Sequence, residues 1–340
     1  MVTGGLDFTR KQILAYRRRV GALDERLPAG AGFLREAAWA GLQDSMPRAA
    51  LLSIHARVAG TQPDTWEDPS LVQLWGPRYS TYVVAAEDLP VFSLGRRPDD
   101  PKKRQRAEEV ASALHGLLDG ARMTDRDAGT ALGISPNMLR YAAPTGAVQI
   151  RWDGARAPVV WTVPAPDVDP RDARRELARR HLHVFGPTTP GSFAVWAGIG
   201  AGAGAKAFDD LHDELASVRT PMGDAWILAS DEAEVRADPA PPAPARLLPS
   251  GDAYFLLQGN DRALLVPEAA RRAALWPSRV WPGALLVDGE IVGTWRRKEH
   301  VVTAQPWQKL TRAARAAVEA EAEALPLPGI TEPVKVRWDA

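Results

Sequence analysis

The 340-residue chain contains no cysteine. That excludes disulfides, thiolate zinc sites, iron–sulfur clusters and cysteine nucleophiles together. It also lacks any charge-free apolar run of about 20 residues, the length a membrane-spanning helix needs. The nearest approach, Phe193 to Ala205, is mostly Gly and Ala. No basic, then apolar, then small-residue export pattern opens the chain, and no G-x-x-x-x-G-K-[ST] phosphate loop occurs in it. Net charge is missing too, because 42 Lys+Arg offset 42 Asp+Glu. The expectation is a cytoplasmic protein with no membrane partner.

What is present is ordinary in amount but uneven in distribution. At 45 % hydrophobic and 25 % charged, the chain has a globular composition, and its length suggests two or more folded units. Residues 1–60 carry nine basic and five acidic side chains, residues 270–315 nine and three, and residues 206–238 three and nine. Such asymmetry marks a polyanion-binding face or reflects chance clustering of solvated charges.

Periodicity divides the chain into four regions. In the first, Thr9 caps an Arg-rich helix from Arg10 to Arg19. Helices at Phe33–Leu42 and Pro47–Val58 and a strand at Ser80–Ala85 follow. The second has a helix at Lys103–Leu118, a Thr124 cap before a short helix, a turn at Gly133 and a helix opened by Ser135-Pro136. Two alternating runs, Val148–Trp152 and Val159–Val163, then flank Asp153-Gly154, a hairpin signal. Three helices and a hairpin spell a winged helix-turn-helix. The pattern recurs in the third region, with helices at Pro170–Phe185, from Pro190 and at Lys206–Leu215, then strands around Val218 and Ala225–Leu228. Beyond a Pro-rich linker at residues 237–245, strands dominate: Arg246–Leu248, Ala253–Gln258, Ala284–Val287, Glu290–Arg296, His300–Ala304 and Val334–Trp338, with a helix at Pro306–Leu325. The reading is an α+β protein of three tandem winged helix-turn-helix units (1–95, 102–168, 169–236) plus a small C-terminal β-barrel-like domain (246–340).

Two motifs have bland explanations. Gly202-Ala-Gly204-Ala-Lys206-Ala207 matches G-x-G-x-x-G/A, but a helix rather than a strand precedes it, so a turn between helices is expected. His181-x-His183 lies in a helix, where i and i+2 diverge, so no metal pair is expected.

The segment Ala38-Trp-Ala-Gly-Leu-Gln43-Asp44-Ser45-Met-Pro-Arg48, continuing to His55-Ala-Arg57, resembles the winged-helix DNA glycosylases of the AlkZ/YcaQ type, which are bacterial proteins. Further matches follow in the family's order: His183-Val-Phe-Gly-Pro-Thr-Thr-Pro190, Arg246-Leu-Leu-Pro249 and Val287-Asp-Gly-Glu-Ile-Val-Gly-Thr-Trp295-Arg296. The resemblance implies three winged helices and a barrel in a C-shape around a DNA channel. It implies excision of bulky or cross-linked alkylpurines from double-stranded DNA by a monomer, with no metal or cofactor. A purine alkylated at N7 or N3 is already cationic, so its departure needs no protonation. Placing a water and stabilising the oxocarbenium-like sugar suffices.

The family signature, Gln-apolar-Gln or Gln-apolar-Asp, falls on Gln43 to Ser45, with Asp44 at the apolar position and Ser45 in place of the second Gln or Asp. Gln43, Asp44 and Ser45 are therefore the candidate catalytic residues. Gln43 is able to orient water but not to act as a general base. Asp44 or Ser45 could instead cap the helix that Pro47 opens. Arg48, Arg57, Arg140, Arg151 and Arg296 are candidate DNA contacts, or partners of local carboxylates. The strand at Arg78-Tyr-Ser-Thr-Tyr-Val83 departs from the family's Arg-Gly-Thr-x-His-like stretch. Three functions stay open: a monofunctional glycosylase, a non-catalytic lesion binder or regulator, and a protein–protein module.

Overall fold

The structure is a computed structural model that describes residues 6–154, 156–256 and 259–339. In chain order its strands are β1 (Leu6–Asp7), β2 (Leu42–Gln43), β3 (Leu71–Trp75), β4 (Thr81–Ala85), β5 (Met123–Thr124), β6 (Val148–Arg151) and β7 (Val159–Thr162). They continue with β8 (Leu215–Thr220), β9 (Gly223–Leu228), β10 (Ala245–Leu248), β11 (Gly283–Val287), β12 (Glu290–Lys298), β13 (Val301–Pro306) and β14 (Lys335–Trp338).

Many helices start where local side chains can satisfy the free N–H groups of a first turn. Thr9 accepts from the Gln12 amide while the Gln12 side chain reaches back, opening the helix Arg10–Val20. Asp100, Thr124, Asp169 and Thr189 cap the helices Pro101–Leu118, Asp125–Ala131, Pro170–Phe185 and Pro190–Ala197. The second region thus runs helix Pro101–Leu118, helix Asp125–Ala131, helix Pro136–Leu139, then the antiparallel pair β6–β7. In the third, helix Ala201–Asp209 ends early and Leu215 opens β8, which pairs with β9. Gly204 serves this packing, since a Cβ there would lie 2.7 Å from the Pro190 carbonyl oxygen.

The sheets join the regions. Gln73 on β3 pairs with Ile150 on β6, so strands of the first two regions form one six-stranded sheet, β2-β4-β3-β6-β7-β5. β1 runs parallel beside β8, tying the N-terminal end to the third region. The C-terminal sheet is open, ordered β10-β11-β12-β13-β14, with β10 and β14 as its edges. The barrel expected there does not close: β14 adds in parallel to β13 and never reaches β10. Helix Arg312–Glu323 covers this sheet, Val318 and Ala322 packing with Leu247, Leu285 and Val302. The Asp288-Gly289 turn adopts φ of 48° and 78°, the two left-handed residues that a tight β11–β12 hairpin needs.

Several local expectations shift. Phe33–Leu42 is a helix only over Ala31–Ala37, because Leu42 joins β2. β6 ends at Arg151 and β7 starts at Val159, so Asp153-Gly154 sits in a longer loop. Residues 253–255 form a turn and residue 256 joins no strand, while residues 257–258 lie outside the described residues. No helix among the described residues is long and apolar enough to cross a membrane.

Candidate active site

Extended backbone sorts the three signature residues. β2 pairs with β4, Gln43 opposite Tyr82, and the Asp44 amide continues the ladder to the Thr81 carbonyl at 2.8 Å. Successive side chains of an extended segment point to opposite sides. Gln43 is accordingly half-buried, Asp44 buried at 2 % exposure, and Ser45 exposed.

The Gln43 amide is oriented by Arg78. One guanidinium nitrogen donates to Gln43 Oε1 at 2.8 Å and another to the Trp196 carbonyl at 3.0 Å. A guanidinium only donates, so Oε1 must face Arg78 and Nε2 must face away. Nε2 lies against the loop of the C-terminal region, 3.1 Å from where a Cβ on Gly251 would stand. The Tyr82 hydroxyl makes a long 3.4 Å contact with Oε1. Arg78 and Tyr79 hold φ of 55° and 57°, and Gly198 leaves room for them: a Cβ there would sit 2.9 Å from the Arg78 nitrogen.

Asp44 works inward. Oδ1 accepts from the Ala50 amide at 3.0 Å, anchoring the start of helix Ala49–Arg57 from six positions upstream. Oδ2 accepts from Gln73 Nε2 at 2.7 Å, while Gln73 Oε1 receives the Trp152 amide at 2.7 Å. The carboxylate therefore couples the signature to the loop after β6. Gly154 in that loop rests on Pro47, 2.6 Å from its Cβ position to Pro47 Cβ. Burial pushes the Asp44 carboxyl up to about 6; the Ala50 amide, Arg48, Gln73 and Arg151 oppose the shift.

The arginines divide. Arg48 and Arg151 converge on Trp66, stacked at 3.5 Å and 3.6 Å from its ring centroid. Arg296 is exposed and lines a cleft of about 320 Å³ with Met46, Pro47, Trp281 and Trp295. Arg57, by contrast, is 3 % exposed and bidentate to Asp252 at 2.7 and 2.8 Å. It fastens the first region to the C-terminal one and presents nothing to a ligand. Arg140 follows helix Pro136–Leu139 on a separate element. Arg78, Gln73, Tyr82 and Trp66 escaped the sequence reading; the altered stretch at Arg78–Tyr82 was the one available signal.

The paired histidines go separate ways. His181 is enclosed by Phe185, Phe193 and Trp196 with neither ring nitrogen hydrogen-bonded, and burial lowers it to about 3, so it stays neutral. His183 Nδ1 meets Asp231 at 2.9 Å. No cluster of three potential metal-ligating side chains occurs among the described residues.

Residues 37–326 match the family described as DNA glycosylase AlkZ-like. No curated protein sequence matches the chain. The solved structure of Streptomyces sahachiroi DNA glycosylase AlkZ superimposes with a TM-score of 0.80 at 20 % identity, covering 98 % of this chain and 100 % of that one. At that identity the likeness establishes a shared mixed α/β fold.

Proposed function

Because the chain belongs to the AlkZ-like DNA glycosylase family, we propose that it hydrolyses the N-glycosidic bond of alkylated or cross-linked purines in double-stranded DNA. It does so as a cytoplasmic monomer built of three winged-helix units. The observation that carries the reading is Gln43: a half-buried amide, oriented by Arg78, at the seam between the first, third and C-terminal regions.

In the reaction a water oxygen bonds to C1′ as the C1′–N bond breaks. The bonding pair moves onto the purine and cancels its positive charge, and the surplus water proton passes to solvent. The cationic leaving group removes the need for a general acid, a metal or a cofactor. Gln43 Oε1 has two lone pairs; Arg78 takes one at 2.8 Å and the Tyr82 hydroxyl approaches the other only at 3.4 Å, a contact that a water proton can displace. The exposed Ser45 hydroxyl lies two residues on, at the bend that follows β2. Asp44 acts from behind as a buried negative charge that favours the oxocarbenium-like sugar. Arg296 and the cleft beside Met46 approach the DNA from the C-terminal side.

The test is base release from a duplex bearing N7-alkylguanine. The wild-type protein should exceed buffer, and Gln43→Ala should lose about 10²-fold, the scale of removing one oriented hydrogen-bonding group at a reacting centre. Release at the buffer rate, or undiminished release by the variant, would refute catalysis by Gln43. No release combined with salt-sensitive DNA binding would assign the protein as a lesion binder or regulator.

A further inference from the structure

Beside the signature loop, two guanidinium groups share one indole. At 3.5 Å and 3.6 Å from the Trp66 ring centroid, two flat cations on the same face would overlap. Arg48 and Arg151 must therefore lie on opposite faces, roughly 7 Å apart across the ring. Trp66 is 9 % exposed and fixed in the turn Thr65–Glu67. Arg48 precedes helix Ala49–Arg57 and Arg151 ends β6, so the β3–β6 pairing and the Gly154–Pro47 contact bring the two together.

No anion has claimed either group. Among the described residues neither Arg48 nor Arg151 is in a salt bridge, although Asp44, Asp153 and Glu67 contribute attraction from further away. Arg48 donates to the Trp152 carbonyl at 3.2 Å, and Arg151 makes one long contact of 3.5 Å with the Trp66 carbonyl. Both side chains are half-buried, and none of their N–H groups is fully buried without a partner. Both cations are partly desolvated, and burial holds both below the usual arginine range; for Arg151 the neighbouring Arg48 charge adds to the effect. Two rigid, parallel, unpaired guanidiniums make a poor stability device and a good receptor for phosphate.

We propose that Arg48, Trp66 and Arg151 form a two-point clamp that grips neighbouring phosphates of one DNA strand and sets the register in which a nucleotide meets Gln43. The inference rests on the DNA-binding reading above. A spacing of roughly 7 Å is too wide for one phosphate group and of the order of the separation between successive phosphates along a strand. The indole keeps the forks apart and parallel, so little rotamer freedom is lost on binding.

The experiment is fluorescence anisotropy of the full-length protein with a labelled lesion-free duplex across a salt series, with circular dichroism as the folding control. Arg48→Gln and Arg151→Gln should each reduce the slope of log K against log salt by about 0.9. Trp66→Leu keeps both charges but loses the spacing, and should weaken binding about tenfold. If that variant does not fold, the R48K/R151K double variant, which keeps charge but not the planar fork, should show the same weakening. Unchanged slopes and affinities in both Gln variants would overturn the clamp alone, whatever the excision assay shows. Reduced slopes in a protein that releases no base would uphold the clamp and refute the glycosylase reading. A parent protein that binds no duplex at low salt would overturn both.

Discussion

Asp44 makes the folded protein more stable in acid than near neutrality, as far as this one group is concerned. Its folded-state pKa is about 6 against 3.8 for the ordinary side chain. The native state therefore binds the proton more tightly than the unfolded chain. The stabilisation is complete below the unfolded value and is lost as pH rises through the folded one. Two units at 1.36 kcal/mol each give about 3 kcal/mol, most of it falling between pH 4 and pH 8. Asp44→Asn removes the ionisation. It also sets an N–H against Gln73 Nε2, which already donates, adding a pH-independent cost of about 1–3 kcal/mol. Only the pH dependence of the difference is then diagnostic. Urea unfolding of both proteins at pH 4 and pH 8 should show the wild type losing about 2–3 kcal/mol relative to the variant as pH rises. Parallel stabilities would refute the reasoning, because they would mean that the carboxylate is solvated or fully compensated. A carboxylate held ionised near neutrality at that cost suits a place behind a developing positive charge.

Two further outcomes follow from the packing. Arg57→Leu strands the Asp252 carboxylate inside the protein and should cost about 3–5 kcal/mol in denaturant unfolding. The salt dependence of DNA binding should not change, and a reduced slope would show that Arg57 reaches phosphate after all. Gly283→Ala would put a Cβ 2.3 Å from Trp295 Nε1 and 2.5 Å from the Leu248 carbonyl oxygen, displacing the 2.9 Å hydrogen bond between those two atoms. It should lower stability by about 1–3 kcal/mol, and an unchanged melting temperature would contradict the close approach of β10 to β12.

Features set by neighbours in sequence could be read from the chain. Thr9 with Gln12, Thr124 with Asp127 and Asp288 with Gly289 each complete their geometry within four residues. The site is assembled differently. Arg78 reaches Gln43 across 35 positions and Gln73 reaches Asp44 across 29. β3 escaped notice because Gln73, a buried amide, interrupts the apolar run Leu71–Trp75. β2 is two residues long and carries no periodicity to detect. At Asp44 a helical spacing would turn the side chain about 100° from Gln43, whereas the extended backbone sends it to the opposite side, into the protein.

Charge distribution along the chain was the weakest guide, for a physical reason. The basic excess of residues 1–60 suggests a surface for a polyanion, yet much of it is used internally. Arg17 donates to the carbonyls of Phe185, Gly186 and Pro187, Arg18 pairs with Asp24, Arg26 with Glu321, and Arg57 with Asp252. Each guanidinium satisfies buried acceptors that would otherwise cost desolvation energy, so these cations join regions instead of facing a ligand. Arg48 belongs to the same segment, but among the described residues it is in no salt bridge and its one hydrogen bond is to the Trp152 carbonyl at 3.2 Å. Segment charge counts both kinds alike. Only the pairing distinguishes an arginine that completes the fold from one held ready for phosphate, and pairing that spans as many as 295 positions is fixed by the fold as a whole.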